Sequence, residues 1–353
     1  MSRKVRIAVR VFLISAAVLI VAIATVAAWL TFPGTPTSTG SLRFEGFVSL
    51  PQGTNRIILT VLDYLTVNGT KLFVTDVSSG GVYRIELRDH TLPRASDISE
   101  FESTPGVHGV VIDPVSHLAL VTRSGSNTVD VFDPEAMKLI KRLPVADDPD
   151  GIFYDPFDKI AYAVNGDAEQ ATLIDPARQV VIGRIPLGGK PEFAVFDPQS
   201  NLMYQNLKDT NTLIAVDIAK RSVAGRWPLH SCESPTGIAI DGVRRQLFIA
   251  CGRNSTLAVF DIAKHHIVSS LPIGRGPDSV AFDPVLKRIY TTGLSGDLAV
   301  IQQDPSGGYR ALDSIHLHFG AHTLAVDPAT HRLYVGYASL FLQPRIAIFA
   351  AIK

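Results

Sequence analysis

Residues 274–293 read GRGPDSVAFDPVLKRIYTTG, and segments of similar sequence occur elsewhere in the chain. Residues 188–206 read GGKPEFAVFDPQSNLMYQN, and residues 146–165 read ADDPDGIFYDPFDKIAYAVN. In each copy an apolar run ends at an Asp-Pro pair, and a short polar turn leads into a second β-rich run. A pattern that recurs at a fixed spacing is typical of repeat proteins, in which each copy is one structural unit.

The Asp or Asn that ends the first apolar run marks the period of the repeat. Seven such marks lie 42–45 residues apart, at Asn68, Asp113, Asp155, Asp197, Asp241, Asp283 and Asp327. Pro cannot donate a hydrogen bond to a strand ladder, so Asp-Pro indicates where the first strand of each unit ends. Units of this length with four β-rich runs are typical of propeller blades. The sequence therefore predicts an all-β fold, a seven-bladed β-propeller with four-stranded blades.

The two ends of the repeat region complement each other. The last copy has its third β-rich run at residues 345–349 and then stops without a fourth. Residues 44–53, FEGFVSLPQG, look like the fourth run of the other copies. We predict that segment 42–50 completes the last blade and closes the ring, because closure removes exposed strand edges that would promote aggregation.

The repeats resemble a known family. AYAVN at 161–165, LFVTD at 72–76 and RLYVG at 332–336, with the Asp-Pro spacer, are similar to the YVTN β-propeller repeat family over residues 42–353. The Gly-His and Trp-Asp marks of WD40 repeats are missing from the copies. The resemblance implies a WD40-like propeller related to lactonase-type and quinoprotein-type propellers, in which chemistry or cofactors are found at the channel mouth.

The N-terminus differs in kind from the repeats. Residues 1–10 carry Arg and Lys, and residues 11–32 carry no charge, a length that can span a bilayer as a helix. We predict a basic cytoplasmic flank (1–10), a signal anchor or cleaved signal peptide (11–32), a flexible linker (33–41) and the propeller (42–353). The propeller would then lie outside the cytoplasm, in the periplasm or at the cell surface, anchored by the helix or released after cleavage.

Composition narrows the classes of partner. The chain has 33 basic and 33 acidic residues, so no excess of positive charge favours nucleic acid. We expect a monomeric propeller.

The two cysteines, Cys232 and Cys251, should lie at the same face of one blade, where an exported protein can form a disulfide; two separate buried thiols are the alternative.

One position in the repeat is polar in every copy. It lies five residues before each mark and holds Asp63, His108, Asp150, Glu192, Thr236, Asp278 and His322. This position begins the first strand, which lines the channel of a propeller, so we predict that these seven residues, the collar, surround one channel mouth. The collar could hydrate a water-filled channel without a ligand, or it could bind a ligand.

The sharpest ligand hypothesis is a metal site. His322, Asp63 and His108 come from consecutive blades of a closed ring, and two His with one carboxylate can hold a divalent metal ion. The acidic members of the collar favour cations and could serve in acid–base chemistry. An outer group of candidates comprises Arg123, Asn165, Asn206, Arg253 and Tyr337, and His316 and His318 form a weaker HxH candidate.

Three functional hypotheses follow. The leading one is a membrane-tethered, extracytoplasmic propeller that binds a protein or a small polar ligand, or acts as a scaffold, without catalysis. The alternative is a metal-assisted hydrolase or lactonase-like enzyme that uses the carboxylates and histidines of the mouth. A purely structural cell-surface protein is the third. We find no nucleophile elbow, phosphate-binding loop or dinucleotide fingerprint, and no spacing of Ser, His and Asp that singles out a catalytic triad.

Overall fold

The computed structural model describes residues 35–51, 59–88, 91–101, 106–340 and 344–352. The predicted flank (1–10) and signal segment (11–32) lie outside the described residues. Across the described part of the chain, no helix has the length and apolar character needed to cross a membrane. The same part contains strands and two 3₁₀ turns, Ala95–Asp97 and Ser124–Ser126, but no α-helix.

The first fifteen strands are β1 (Leu42–Ser49), β2 (Leu59–Asn68), β3 (Lys71–Asp76), β4 (Gly81–Glu86), β5 (Ile98–Phe101), β6 (Val107–Ile112), β7 (Ala119–Arg123), β8 (Thr128–Asp133), β9 (Lys138–Pro144), β10 (Pro149–Asp155), β11 (Ile160–Asn165), β12 (Gln170–Asp175), β13 (Val180–Pro186), β14 (Pro191–Asp197) and β15 (Leu202–Leu207). The others are β16 (Thr212–Asp217), β17 (Ser222–Pro228), β18 (Pro235–Asp241), β19 (Gln246–Cys251), β20 (Thr256–Asp261), β21 (His266–Pro272), β22 (Pro277–Asp283), β23 (Arg288–Gly293), β24 (Asp297–Gln303), β25 (Tyr309–His316), β26 (Thr323–Asp327), β27 (Arg332–Gly336), β28 (Ala338–Leu340) and β29 (Arg345–Ala351).

These strands form seven antiparallel sheets, one per repeat. Blade 1 contains β2–β5, with the short β28 paired to the beginning of β2, and blades 2 to 6 each contain the next four strands in order. Blade 7 has the order β1-β29-β27-β26, so the outermost strand comes from the other end of the chain. The prediction of a seven-bladed propeller with four-stranded blades is confirmed.

The ring is closed by the N-terminal strand, as the sequence predicted. β1 pairs antiparallel with β29, from Leu42 opposite Ala351 to Ser49 opposite Arg345. The first strands of successive blades contact one another around the ring, and β26 of blade 7 contacts β2 of blade 1. Closure therefore places residues from opposite ends of the chain around one central channel.

The apolar core is divided among the interfaces between blades. The described residues contain seven apolar clusters, and each is shared by two neighbouring blades. Tyr162 of blade 3 and Met203 of blade 4, for example, are buried in one such cluster. Both faces of an inner blade strand are covered by neighbouring blades, which explains why the first two runs of each repeat are apolar throughout.

The Asp of each Asp-Pro mark folds the turn that follows the first strand. In blade 6 the buried Asp283 carboxylate accepts hydrogen bonds from the backbone N–H groups of Val285 (2.9 Å) and Leu286 (3.0 Å). Lys287 then adopts a left-handed conformation, with φ at 55°. Asp283 also contacts Nδ1 of His331 in blade 7 at 2.7 Å. The recurrent Asp thus has a structural role, because it orders its own turn and here also contacts the next blade.

The end of the predicted linker is attached to the propeller. Ser41 is buried, and its backbone N–H donates a hydrogen bond of 2.9 Å to the Asp313 carboxylate in blade 6, which the Ser41 hydroxyl also contacts. The C-terminal end of the predicted linker (33–41) is therefore bound to blade 6.

Candidate functional site

β-Bulges position the collar. In blades 1 to 6 the pairing between the first and second strands shifts register where the collar residue lies. The shifts fall between Leu62 and Leu65, Val107 and Val110, Pro149 and Ile152, Pro191 and Ala194, Pro235 and Ile238, and Pro277 and Ser279. A bulge interrupts the ladder and changes the direction of a side chain, a frequent device beside functional sites.

Asp63 joins the histidines of the two neighbouring blades. Its Oδ2 atom lies 2.7 Å from Nδ1 of His108, and its Oδ1 atom lies 3.8 Å from Nε2 of His322. Burial alone would raise the pKa of Asp63, but the hydrogen bond from His108 and the charges of both histidines outweigh it and lower the pKa to about 2. Asp63 is therefore ionised at neutral pH, and Nδ1 of His108 carries the hydrogen, since a carboxylate can only accept.

His322 is held as a cation. Its Nδ1 donates to the backbone oxygen of Gly320 at 2.9 Å. Burial would lower the pKa of His322, but the carboxylates of Asp63 and Asp278 raise it to about 9. At pH 7 this imidazolium contributes a fixed positive charge to the wall of the channel mouth.

Asp150 has the opposite behaviour to Asp63. Burial and the negative charge of Asp63 raise the pKa of Asp150 to about 7. Its Oδ1 lies 3.6 Å from Nδ1 of His108, which already donates to the nearer Asp63. Two carboxyl groups at the same repeat position thus differ because one has two histidine partners and the other faces its ionised neighbour.

The far side of the collar contains a second charged group. Glu192 of blade 4 pairs with Lys208, with 2.8 Å between Oε1 and Nζ. Burial raises the pKa of Glu192 and of Asp278. The pKa of Lys208 is also raised, because the charges of Glu192 and Asp278 outweigh the effect of burial.

An aromatic floor lies below the collar. The ring of Tyr64, in blade 1, stacks on Phe193 of blade 4 with centroids 4.9 Å apart, and Phe193 contacts Phe153 of blade 3. Gly151 leaves room for Tyr64, because a Cβ atom there would lie 2.8 Å from the tyrosine oxygen. Burial and then the charges of four collar carboxylates raise the pKa of Tyr64 strongly. The charges of the carboxylates of blades 1, 3, 4 and 6 therefore all act on this tyrosine.

A cavity of about 490 Å³ opens beside the collar on blades 4 to 7. Three side chains that can carry positive charge line it, those of Lys208, Arg253 and His322. Asp278 provides a carboxylate, and Leu294, which is about half exposed, provides an apolar edge. The cavity brings several polar side chains together in one concave surface, as ligand sites commonly do.

Thr236 and the outer candidates mainly serve the scaffold. The Thr236 hydroxyl is buried and donates to the backbone oxygen of Pro277 at 3.0 Å, although the residue still lines the cavity. Arg123 is buried in a 2.9 Å ion pair with Asp130. Asn206 donates to the backbone of Thr236. Asn165 and Tyr337 are buried as well, which leaves Arg253 as the outer candidate that lines the cavity.

The HxH pair divides between two environments. His316 is exposed and contacts Asp297 at 2.8 Å, whereas His318 is buried, with its Nδ1 2.7 Å from the backbone oxygen of Phe319. β25 ends at His316, and His318 follows beyond the strand, so the two rings take different environments.

The predicted metal set is brought together only in part. Asp63 lies near both His108 and His322, yet a tighter group consists of Asp63, His108 and Asp150, whose ligand atoms all lie within 4.8 Å of one another. A metal ion there would require Nδ1 of His108 without its hydrogen, and that hydrogen is donated to Asp63. Metal binding stays a prediction.

Three residues of the mouth were missed by sequence reasoning. Lys208 and Ser124 follow second strands, and Tyr64 follows a collar residue by one position. The repeated sequence has no distinctive residue at these three positions. Their closeness to the collar is seen in the closed ring. Ser124 could have been found by comparing the residues that directly follow the second strand in each copy.

The structure joins Cys232 and Cys251 in a disulfide, with Cα atoms 5.0 Å apart. The bond links the loop before β18 to the end of β19, beside the cavity residues Ser234 and Gly252. It restrains one wall of the mouth.

Comparison with known proteins supports the fold. No protein-family model and no curated protein sequence matches the chain. Among solved structures, the hydrazine synthase of Kuenenia stuttgartiensis is similar with a TM-score of 0.72 at 16% identity, over 86% of this chain and 99% of that one. A chain of the mitotic checkpoint complex is similar with a TM-score of 0.70 at 15% identity, over 90% of this chain and 95% of that one. At these identities the likeness concerns the fold alone.

Proposed function

We propose that this protein is a YVTN-type binding propeller, tethered outside the cytoplasm by its N-terminal segment, that binds a small carboxylate-bearing ligand in the mouth cavity. The YVTN assignment is supported by the spacing of the Asp-Pro repeats. The tether is supported by the basic flank and the uncharged segment 11–32. The structural neighbours support a binding or scaffold domain through their fold.

The charge of the cavity carries the proposal. Lys208, Arg253 and His322 line it against the single carboxylate of Asp278. His322 is protonated at neutral pH because its pKa is about 9. Glu192 neutralises much of the charge of Lys208, so Arg253 and His322 are the groups best placed to receive a ligand carboxylate. Arg is well suited to this, since its planar donor group matches a carboxylate bidentately.

This interpretation differs from the cation preference expected of an acidic collar. Four collar carboxylates lie near Tyr64, but of these only Asp278 lines the cavity. The blade 4–7 side adds Lys208 and Arg253, which do not belong to the collar. The two sides of the mouth thus differ in charge, and the open side favours an anionic group.

Metal-assisted hydrolysis, the alternative function, needs a metal at Asp63, His108 and Asp150. The proximity of those three ligand atoms supports it. Elemental analysis of the full-length protein purified without chelator separates the two functions, because a stoichiometric divalent metal would favour the hydrolase.

Carboxylate binding is tested with full-length, detergent-purified protein. Thermal shift would screen succinate, citrate and glutamate against their neutral amides, and calorimetry would measure the affinity of each hit. We expect Arg253→Gln to weaken binding about 10- to 100-fold, the cost of one charge-assisted hydrogen bond. Binding should also weaken as the pH rises through about 9, where His322 loses its proton.

The matched control is Arg275→Gln, which removes an exposed arginine of a neighbouring mouth loop that does not line the cavity. It should bind like the wild type. Equal loss in both variants, or equal response to acids and amides, would contradict the proposal.

A further inference from the structure

A chain of hydrogen bonds crosses the mouth on blades 1 and 2. Nε2 of His108 lies 2.9 Å from the hydroxyl of Ser124, and Nδ1 of the same ring lies 2.7 Å from Asp63. A hydroxyl, an imidazole and a carboxylate in this order have the geometry of an activated serine, recognised by contacts and not by sequence position. The binding function proposed above makes no use of Ser124.

The positions of the three groups fit their separate roles. Asp63 and His108 lie in the bulges of the first strands of blades 1 and 2, and both side chains are 20% exposed. Ser124 begins the 3₁₀ turn after β7 and is partly exposed. All three groups are therefore partly accessible to solvent.

Rigid neighbours hold the serine in place. The backbone N–H of Ser124 donates to the oxygen of Gly106 at 2.8 Å. The preceding residue, Arg123, is anchored by its buried ion pair with Asp130. These contacts fix the start of the turn from both sides, as a preorganised nucleophile requires.

The proton arrangement favours transfer from serine to histidine. Asp63 remains ionised at neutral pH, since its pKa is about 2, and it holds the hydrogen on Nδ1 of His108. In the neutral ring Nε2 is then the acceptor, directed at the Ser124 hydroxyl. The hydroxyl also lies 3.3 Å from the oxygen of Gly106, a longer contact than the one to histidine.

Residue 106 packs closely against the turn that carries the hydroxyl. A Cβ atom at residue 106 would lie 3.1 Å from Oγ of Ser124 and 2.9 Å from N of Gly125, so a larger residue there would press on the turn. The hydrogen bond that closes the turn runs from Asn127 N–H to the Ser124 oxygen. These contacts help to hold the serine in position.

We propose that Ser124 is a nucleophile, with His108 as its general base and Asp63 as the group that orients His108, for acyl transfer from carboxylic esters. Oγ of Ser124 forms a bond to the ester carbonyl carbon while its proton passes to Nε2 of His108. The carbon–oxygen bond to the alcohol breaks, and the leaving oxygen takes that proton. Water then attacks the acyl-serine, returns a proton to Ser124 through His108 and releases the carboxylic acid.

The test is covalent labelling of the full-length protein. A fluorophosphonate probe should form a phosphorus–oxygen bond at Ser124 with loss of fluoride, detected by peptide mass spectrometry, and p-nitrophenyl acetate should be hydrolysed. Ser124→Ala and His108→Gln should lower both rates about 10²- to 10⁴-fold. Asp63→Asn should lower the rate through the tautomer of His108.

The matched control is Ser126→Ala, in the same turn, whose hydroxyl contacts Thr128 instead of a histidine. It should label like the wild type. Labelling that survives Ser124→Ala, or a folded wild-type protein in which Ser124 is not labelled, would overturn the proposal; circular dichroism and thermal melts establish folding.

The pH dependence provides a second readout. Burial would lower the pKa of His108, but Asp63, Asp150 and Asp148 raise it above its ordinary value. The base must be neutral to accept a proton, so labelling should accelerate as the pH rises above the usual histidine range. A rate that does not change with pH would contradict a histidine base. Labelling reports on Ser124 in blade 2, whereas carboxylate binding reports on the cavity of blades 4 to 7, so failure here and failure of the carboxylate proposal are distinguishable.

Discussion

At the residue scale, one repeat position supports different chemistry in different blades. Asp63 and Asp150 both lie five residues before a mark of the repeat. Contacts with His108 and His322 lower the pKa of Asp63 to about 2, whereas burial and the charge of Asp63 raise that of Asp150 to about 7. Neighbours in other blades, and not the repeat, decide the protonation state.

Asp150 should make stability depend on pH. Its folded pKa is higher than the value of an unfolded Asp, so the native state binds the extra proton and loses that stabilisation as the pH rises from about 4 through about 7. Asp150→Asn should remove this part of the decline in the free energy of unfolding. For one proton the decline is at most about 1.4 kcal/mol per pH unit.

Urea unfolding at several values between pH 5 and pH 8 would measure this effect. The wild type should lose more stability over that range than Asp150→Asn. Parallel curves for the two proteins would show that Asp150 binds no extra proton in the native state.

The sequence could mark the repeat position of the collar but not its contacts, and the place of the collar around a channel mouth stays a prediction. The position could be identified because the repeat fixes it. Lys208 and Ser124 could be located only as residues that directly follow second strands, and Tyr64 had no signal, because their closeness to the collar depends on channel width and on the direction of each side chain. Channel width and side-chain direction are set by closure of the ring and by the β-bulges, and neither can be recognised in the repeated sequence.

At the element scale, the β-bulge separates the part of a first strand that pairs regularly in the blade from the part that carries the collar residue. The second halves of the first strands pair regularly, as in residues 152–155 with 160–163. The beginnings of the same strands do not, and the collar residues lie there. A repeat can therefore keep its packing while its mouth residues vary.

The disulfide should stabilise blade 5. It closes a loop with a sequence separation of 19 residues between Cys232 and Cys251. A loop of that size is expected to contribute about 3 kcal/mol, mainly by restricting the unfolded chain. Reductant should lower the denaturation midpoint of the wild type accordingly, measured by guanidinium unfolding.

A Cys232→Ala, Cys251→Ala double variant supplies the control, since its midpoint should not respond to reductant. If the wild type unfolds at the same midpoint with and without reductant, the two cysteines are not joined in the protein.

Most strands could be predicted, and the exceptions have a local cause. The four runs of each copy correspond to the strands of blades 2 to 6. The short β28 adds to the beginning of β2 without any counterpart in the repeat, and β5 of blade 1 follows a longer connection than other outer strands. Both depend on contacts around the closure point, where the chain departs from its period.

At the scale of the whole molecule, closure creates the site. His322 of blade 7, Asp63 of blade 1 and His108 of blade 2 are far apart in sequence, yet Asp63 contacts both histidines. The pairing of β1 with β29 and the contact of β26 with β2 bring them together. The carboxylate proposal depends on this convergence through His322, because Asp63 of blade 1 helps to raise the pKa of that ring.

Histidine titration by nuclear magnetic resonance tests the convergence most directly. In the wild type we expect His322 to titrate near pH 9 and His108 above its ordinary range. Asp63→Asn should lower the pKa of both rings, by about one unit or more, because it removes a carboxylate that both contact.

Two further variants separate the neighbours. Asp278→Asn should lower the pKa of His322 alone, and Asp150→Asn that of His108 alone, since each carboxylate acts on one ring. If Asp63→Asn leaves either histidine unchanged, Asp63 does not lie between them, and the mouth described here is contradicted.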